Sequence, residues 1–220
     1  MPEIAVFTLL HLLVFVYWLG GDLGAFYTSR FLIKPGISTD RRMLAAKVVN
    51  DVDMAPRTAL ILAFPTGLTL AHVKGWLSLP LPLPLLVAVW IAALIWLALA
   101  WAIHMKHGAA PALWRQADLA IRWLLIGGLT AVAVWNIAGS GSLPLFLSLK
   151  LLALAGCTAF GLFIRAVLKP LGPALMGLAG PDAAAAEASL AATLNRARPL
   201  VTGIWALLIA AAFLALLKPV

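Results

Sequence analysis

Apolar residues along this chain come in long blocks instead of alternating with polar ones. Six blocks stand out, at about 5–30, 55–74, 84–104, 119–138, 144–166 and 199–217, each near the roughly 20 residues a helix needs to cross a bilayer. A barrel strand would alternate with period two over about ten residues. The pattern therefore predicts an all-α, polytopic membrane helix bundle with six transmembrane helices. We read 1–220 as one integral membrane domain built from hairpins at about 5–74, 84–138 and 144–217. Two polar stretches separate blocks: 39–53 (TDRRMLAAKVVNDVD) and 181–198 (PDAAAAEASLAATLNRAR). Both predict helices, and each leads to a proline, Pro56 and Pro199, placed to open the next span. Trp76, Pro80, Pro82 and Pro84 mark a short loop at the other end.

Composition supports the membrane reading. The chain is 64% hydrophobic and 11% charged, with a mean hydropathy of +1.04. A soluble domain carries about 25% charged residues. Met1 to Ala5 has no basic stretch and no small-residue cleavage site follows, so the first block is expected to stay as a span. The net charge of +8 raises the question of nucleic acid. Its distribution points to membrane lipid instead. Of the 16 Lys and Arg residues, all but Lys74, Lys150 and Lys218 fall on one side of the six-span topology. Basic residues mark the cytoplasmic face, so the expected location is the cell inner membrane with both termini periplasmic. Cys157 is the sole cysteine, which excludes disulfide frameworks and cysteine metal clusters.

The chain also echoes itself. Arg30-Phe31-Leu32-Ile33-Lys34-Pro35 closes the first block and Arg165-Ala166-Val167-Leu168-Lys169-Pro170 closes the fifth. Each is followed by an Asp (Asp40, Asp182), a helix-prone segment and a proline-started block. Blocks one and two thus read as a hairpin repeated in blocks five and six, with three and four a diverged copy or an insertion.

Polar groups inside the first block carry the candidate chemistry. At about 100° per residue, His11, Trp18, Asp22 and Ser29 fall on one helical stripe. A polar stripe on a span faces the protein interior or a cavity. His11 lies roughly 9 Å inside the outer end. Neutral imidazole ligates haem iron or copper; the alternative is a buried histidine bonded to a neighbouring helix. His72 near the outer end of the second span and Lys150 about 9 Å into the fifth lie at comparable depth. His11 and His72 are the candidate metal ligands, and Lys150 would meet a haem propionate. The alternatives are an interfacial anchor for His72 and a snorkelling lysine for Lys150. Asp22 and Arg57 are expected to form an ion pair, because a lone carboxylate in hydrocarbon is costly. His104 and His107 in HMKH read as a solvated interfacial cluster. Trp135 and Asn136 are placed to line the outer pocket.

The first span reads His11, six residues, Trp18, then Gly24-Ala25-Phe26-Tyr27, two residues, Arg30-Phe31. The second has Met54-Ala55-Pro56 and then Gly67-Leu68-Thr69-Leu70; later come Lys150-Leu151-Leu152 and Asn195-Arg196-Ala197-Arg198-Pro199. In this order the motifs resemble the HemJ-type protoporphyrinogen oxidases, small bacterial membrane proteins that bind haem b and are related to copper-resistance protein D (CopD)-like domains. The resemblance covers the first, second, fifth and sixth spans. It implies a haem-b-binding redox protein with His11 as axial ligand and Arg30 and Lys150 as catalytic basic groups; with His72 at matching depth and Trp18 on the same stripe, His11, His72, Trp18 and Lys150 are the candidate cofactor-binding residues. Porphyrin or quinone would then be the small-molecule partner, and a homo-oligomer or larger membrane complex the assembly. Two other readings compete. One is a CopD-like copper or small-solute transporter, against which stands the absence of methionines near the outer pocket, since copper(I) prefers sulfur. The other is a non-catalytic anchor subunit of a redox complex.

Overall fold

The computed structural model describes residues 2–77, 81–106 and 108–218. It is built from helices, with no strand among the described residues. In chain order these are α1 (Pro2–Ser29), continued by one tighter turn at Arg30–Leu32, then α2 (Thr39–Val52), α3 (Met54–Val73), α4 (Leu83–Met105), α5 (Ala112–Trp135), α6 (Leu145–Val167), α7 (Leu171–Gly177) and α8 (Ala183–Leu217). Five segments are long and apolar enough to cross a membrane: Pro2–Leu32, Leu83–Met105, Ala112–Gly139, Leu145–Gly177 and Ala183–Leu217. The chain is thus laid out as a multi-pass membrane protein. The second block of the sequence, α3, is not among the five. It carries Arg57, Thr58, Thr66, Thr69 and His72 within 20 residues, and much of it is enclosed, from Met54 and Pro56 to Leu70 and Ala71.

Local sequence explains most boundaries. Pro82, Pro111 and Pro144 each stand just before a helix in extended conformation, with ψ of 134°, 143° and 142°. The ring fixes φ, and the missing N–H needs no partner there. Helix α3 ends in a glycine cap. Gly75 has φ of 65°, its N–H donates to His72 O, and that of Trp76 donates back to Ala71 O. Only glycine takes this left-handed position without strain.

Two boundaries differ from expectation. The last span was expected to begin at Pro199, but α8 runs 35 residues straight through it. Packing on both sides of the proline holds the helix despite the lost hydrogen bond: Leu190 and Leu194 are buried before it, Ile204 and Leu208 after it. The fourth span was expected from about 119, but α5 starts at Ala112 and so encloses Asp118.

Contacts fix the topology. Gly21 lies against Pro56 and Gly67 against His11, so α1 and α3 run antiparallel. Trp90 bonds Thr69 and Trp101 bonds Thr58 across α3 and α4. Trp96 bonds Asp118 across α4 and α5, and Asn136 bonds Ser148 where α5 turns into α6. Gly156 faces Leu207 and Gly203 faces Phe160 across α6 and α8. Phe26 stacks edge-on with Trp205 at 5.1 Å, which brings the last helix against the first. Each long helix is antiparallel to the next. One core, including Val14, Trp18, Ile61, Trp96, Cys157 and Ile204, fills the middle of the bundle. A second, with Leu32, Ala45, Leu175 and Leu190, joins α2, α7 and the first half of α8 at the basic end. The ion pair of Arg42 with Glu187, 2.8 Å, ties that cap together.

Candidate functional site

His11 sits where α1 crosses α3. Gly67 makes room for it: a Cβ there would stand 3.0 Å from His11 Cε1. His11 Nδ1 lies 2.9 Å from Thr66 Oγ1. The Thr66 hydroxyl in turn donates to Leu62 O at 2.6 Å. A hydroxyl has one proton, so Thr66 receives at its other face and Nδ1–H of His11 is the donor. In the neutral ring this leaves Nε2 as the nitrogen with a free lone pair. The partner of one ring nitrogen sets what the other can bind. Lys150 of α6 lies within electrostatic range of His11, and also of Lys74. Lys74 and Lys218 both lie over the Trp76 ring, at 4.9 and 5.5 Å. The end of the bundle near His11 is therefore a cationic rim of few residues.

The other expected members of this site fall elsewhere. His72 is five and six residues beyond Gly67 and Thr66, so it points about 120–140° away from His11 and sits roughly 8–9 Å further along α3. The structure does not bring the two histidines together, and no group of three His, Cys, Asp or Glu capable of holding a metal occurs among the described residues. Trp18, 3% exposed, packs with Ala59, Leu60 and Ile61 in the central core. Arg30 lies at the basic end over the Phe26 and Tyr27 rings, at 5.7 and 5.8 Å. That is about 28 Å along α1 from His11, so Arg30 and Lys150 share no site. Asn136 braces the α5–α6 turn, donating to Leu143 O and Ser148 Oγ, both at 2.7 Å, and Trp135 is exposed. His104 pairs with Asp51 at 3.4 Å; His107 lies outside the described residues.

The expected Asp22–Arg57 ion pair is replaced. Arg57 pairs with Asp53, one turn earlier on its own side of the helix junction. A neighbour four residues away reaches the guanidinium at less conformational cost than a group on another helix. Asp22 Oδ2 is buried with no hydrogen-bond partner. The stripe itself holds: Trp18 and Ser29 are buried, and His11 bonds α3.

Sequence reading missed a buried charge cluster. Asp118 and Arg122, 3% and 2% exposed, lie one turn apart inside α5. Asp118 Oδ2 accepts from Arg122 Nε at 3.1 Å and from Arg165 Nη1 at 2.7 Å, while Oδ1 accepts from Trp96 Nε1 at 2.9 Å. The Arg122 guanidinium also lies 5.4 Å from the centre of the Trp96 ring. One carboxylate thus pins α4, α5 and α6 together at a depth where a lone charge would be costly.

No family model, curated protein or solved structure matches the chain. The reading of its function therefore rests on the residues themselves. Of the candidate ligands for a haem, His11 offers an oriented imidazole, with Nδ1 held by Thr66 and no hydrogen bond to Nε2 among the described residues. His72 does not fit as a second ligand to the same iron. Two cavities stand out, one lined by Phe26, Arg30, Ile33, Lys34 and Arg198, the other by Asn136, Ile137 and 141–145. Neither is lined by His11.

Proposed function

We propose that this chain is an inner-membrane redox protein that binds haem b through His11 as the single protein ligand. The observation that carries the reading is the Thr66 relay, which commits Nδ1 and frees Nε2. The resemblance of the motif order to the HemJ-type oxidases supports it, as does Lys150 within electrostatic range. A bound haem would supply reversible one-electron transfer. Thr66 orients the ring, Gly67 admits it to the helix crossing, and Lys150 offers a cation for a propionate. His72 is left as a group near the membrane boundary.

The same reading takes α3 as a sixth span. Its polar residues are acceptable because neighbouring helices enclose them: Thr69 donates to Pro65 O and receives Trp90, and Thr66 receives His11. It also takes α1–α3 and α6–α8 as two copies of one hairpin, each with a helical connection at the basic end, and places that end in the cytoplasm by its charge. The test is a variant pair. His11→Ala should abolish the b-type absorption of protein purified after expression with ample haem precursor, while His72→Ala should leave it unchanged. Loss of colour in His72→Ala with retention in His11→Ala would overturn the assignment.

A further inference from the structure

A cavity of about 450 Å³ opens at the basic end between α1 and α8, lined by Phe26, Arg30, Ile33, Lys34 and Arg198. Three of its five lining residues are cations, and among the described residues none of the three forms an ion pair. No Asp or Glu lines the cavity, and Glu187 and Asp53 pair with Arg42 and Arg57. Like charges converging without an acid repel one another unless an anion joins them. The aromatic faces only partly compensate. Arg30 and Arg198 both lie over the Phe26 ring, at 5.7 and 5.9 Å. Arg198 Nη1 donates to Asn195 Oδ1 at 3.0 Å, but its Nε is buried with no acceptor. A buried donor without a partner carries the full desolvation penalty, so this atom is the sharper observation.

We propose that this cavity binds the phosphate headgroup of an anionic membrane lipid. Guanidinium groups match phosphate oxygens in geometry and charge, and an acceptor oxygen would satisfy Arg198 Nε. A lipid is favoured over free phosphate because an aromatic side chain packed on the lining residue Phe26, Trp205 of α8, lies beyond the cavity. Trp205 is seven residues beyond Arg198, on the same face and about 10 Å deeper. It packs edge-on against Phe26, and its Nε1 is a second buried donor with no acceptor. Lipid ester oxygens lie below the phosphate, on the side of the cavity where that donor is found. The inference needs the chain to cross a membrane with this end at a headgroup layer; it does not depend on haem.

The experiment uses the full chain in a maltoside detergent that contains no phosphate. Short-chain phosphatidylglycerol and inorganic phosphate are titrated separately by calorimetry. Saturable lipid binding is expected, with inorganic phosphate at least tenfold weaker. Lys34→Gln and Arg198→Gln should each weaken the lipid by roughly tenfold or more, since a charge-assisted hydrogen bond is worth about a decade in an equilibrium constant. Arg41→Gln removes the same charge outside the cavity and should leave affinity unchanged. Lys34 is exposed, so its variant keeps the fold even if Arg198→Gln does not. Equal lipid affinity in Lys34→Gln and Arg41→Gln, or inorganic phosphate binding as tightly as the lipid, would overturn the proposal.

Discussion

Gly21 and Gly20 are adjacent in α1, and one methyl group at each should act in opposite directions. A Cβ at Gly21 would stand 2.5 Å from Pro56 Cδ, 3.0 Å from Ala55 Cβ and 3.4 Å from Pro56 N. Carbon atoms rest at about 3.5–4.0 Å, so the overlap with the proline ring is about 1 Å. The ring cannot rotate away, so α1 and α3 must part where they cross. Overpacking of this kind costs about 1–3 kcal/mol. At Gly20 nothing lies within 4 Å. Both substitutions gain the same helix propensity, about 1 kcal/mol for glycine to alanine. Gly20→Ala should therefore be stabilising by up to about 1 kcal/mol. Gly21→Ala should lie about 1–3 kcal/mol below it. Reversible unfolding in detergent, followed by tryptophan fluorescence, reads the difference. Adding Pro56→Ala should recover much of the loss, as expected of residues in contact. A Gly21→Ala protein as stable as Gly20→Ala would refute the close crossing of α1 and α3.

Other outcomes follow from the charges. Asp118→Leu should destabilise the protein by about 3–5 kcal/mol, because Arg122 is left buried without its partner. The double variant Asp118→Leu with Arg122→Leu should be more stable than that single variant by the same unfolding assay; additive losses would remove the cluster from the structural core. Reporter fusions at Gly36 and Gly180 should face the cytoplasm and one at Trp76 the opposite side; a cytoplasmic Trp76 would mean that α3 does not cross.

Much of the helical layout was legible in the apolar blocks, because length and hydropathy are properties of the chain itself. Helices α2, α4 and α6 begin and end close to where the polar stretch 39–53 and the apolar blocks at 84–104 and 144–166 placed them. The stripe on α1 was legible for the same reason: helical geometry alone puts His11, Trp18, Asp22 and Ser29 on one face. Its partners were not. Arg57 had two acids within reach in principle, and only packing shows that the local Asp53 takes it. Asp118 and Arg122 four residues apart in an apolar run were a visible sign of a buried pair. Their closure by Trp96 and Arg165, 22 and 47 residues from Asp118, needs the folded bundle. At Pro199 the local preference for a break yields to burial on either side. At His11 the residue could be picked out from its position, whereas the Thr66 relay that orients it could not, since Thr66 reads from sequence as one more helical residue.

The ferric protein, purified after expression with ample haem precursor, gives the most direct test through its iron-porphyrin content and low-temperature electron paramagnetic resonance. One haem b per chain with a high-spin signal is expected, because in the proposed site Thr66 would orient His11 as the one protein ligand while His72 points elsewhere. A low-spin signal from two histidines would contradict the single-ligand site, and protein without iron porphyrin would contradict the haem reading altogether.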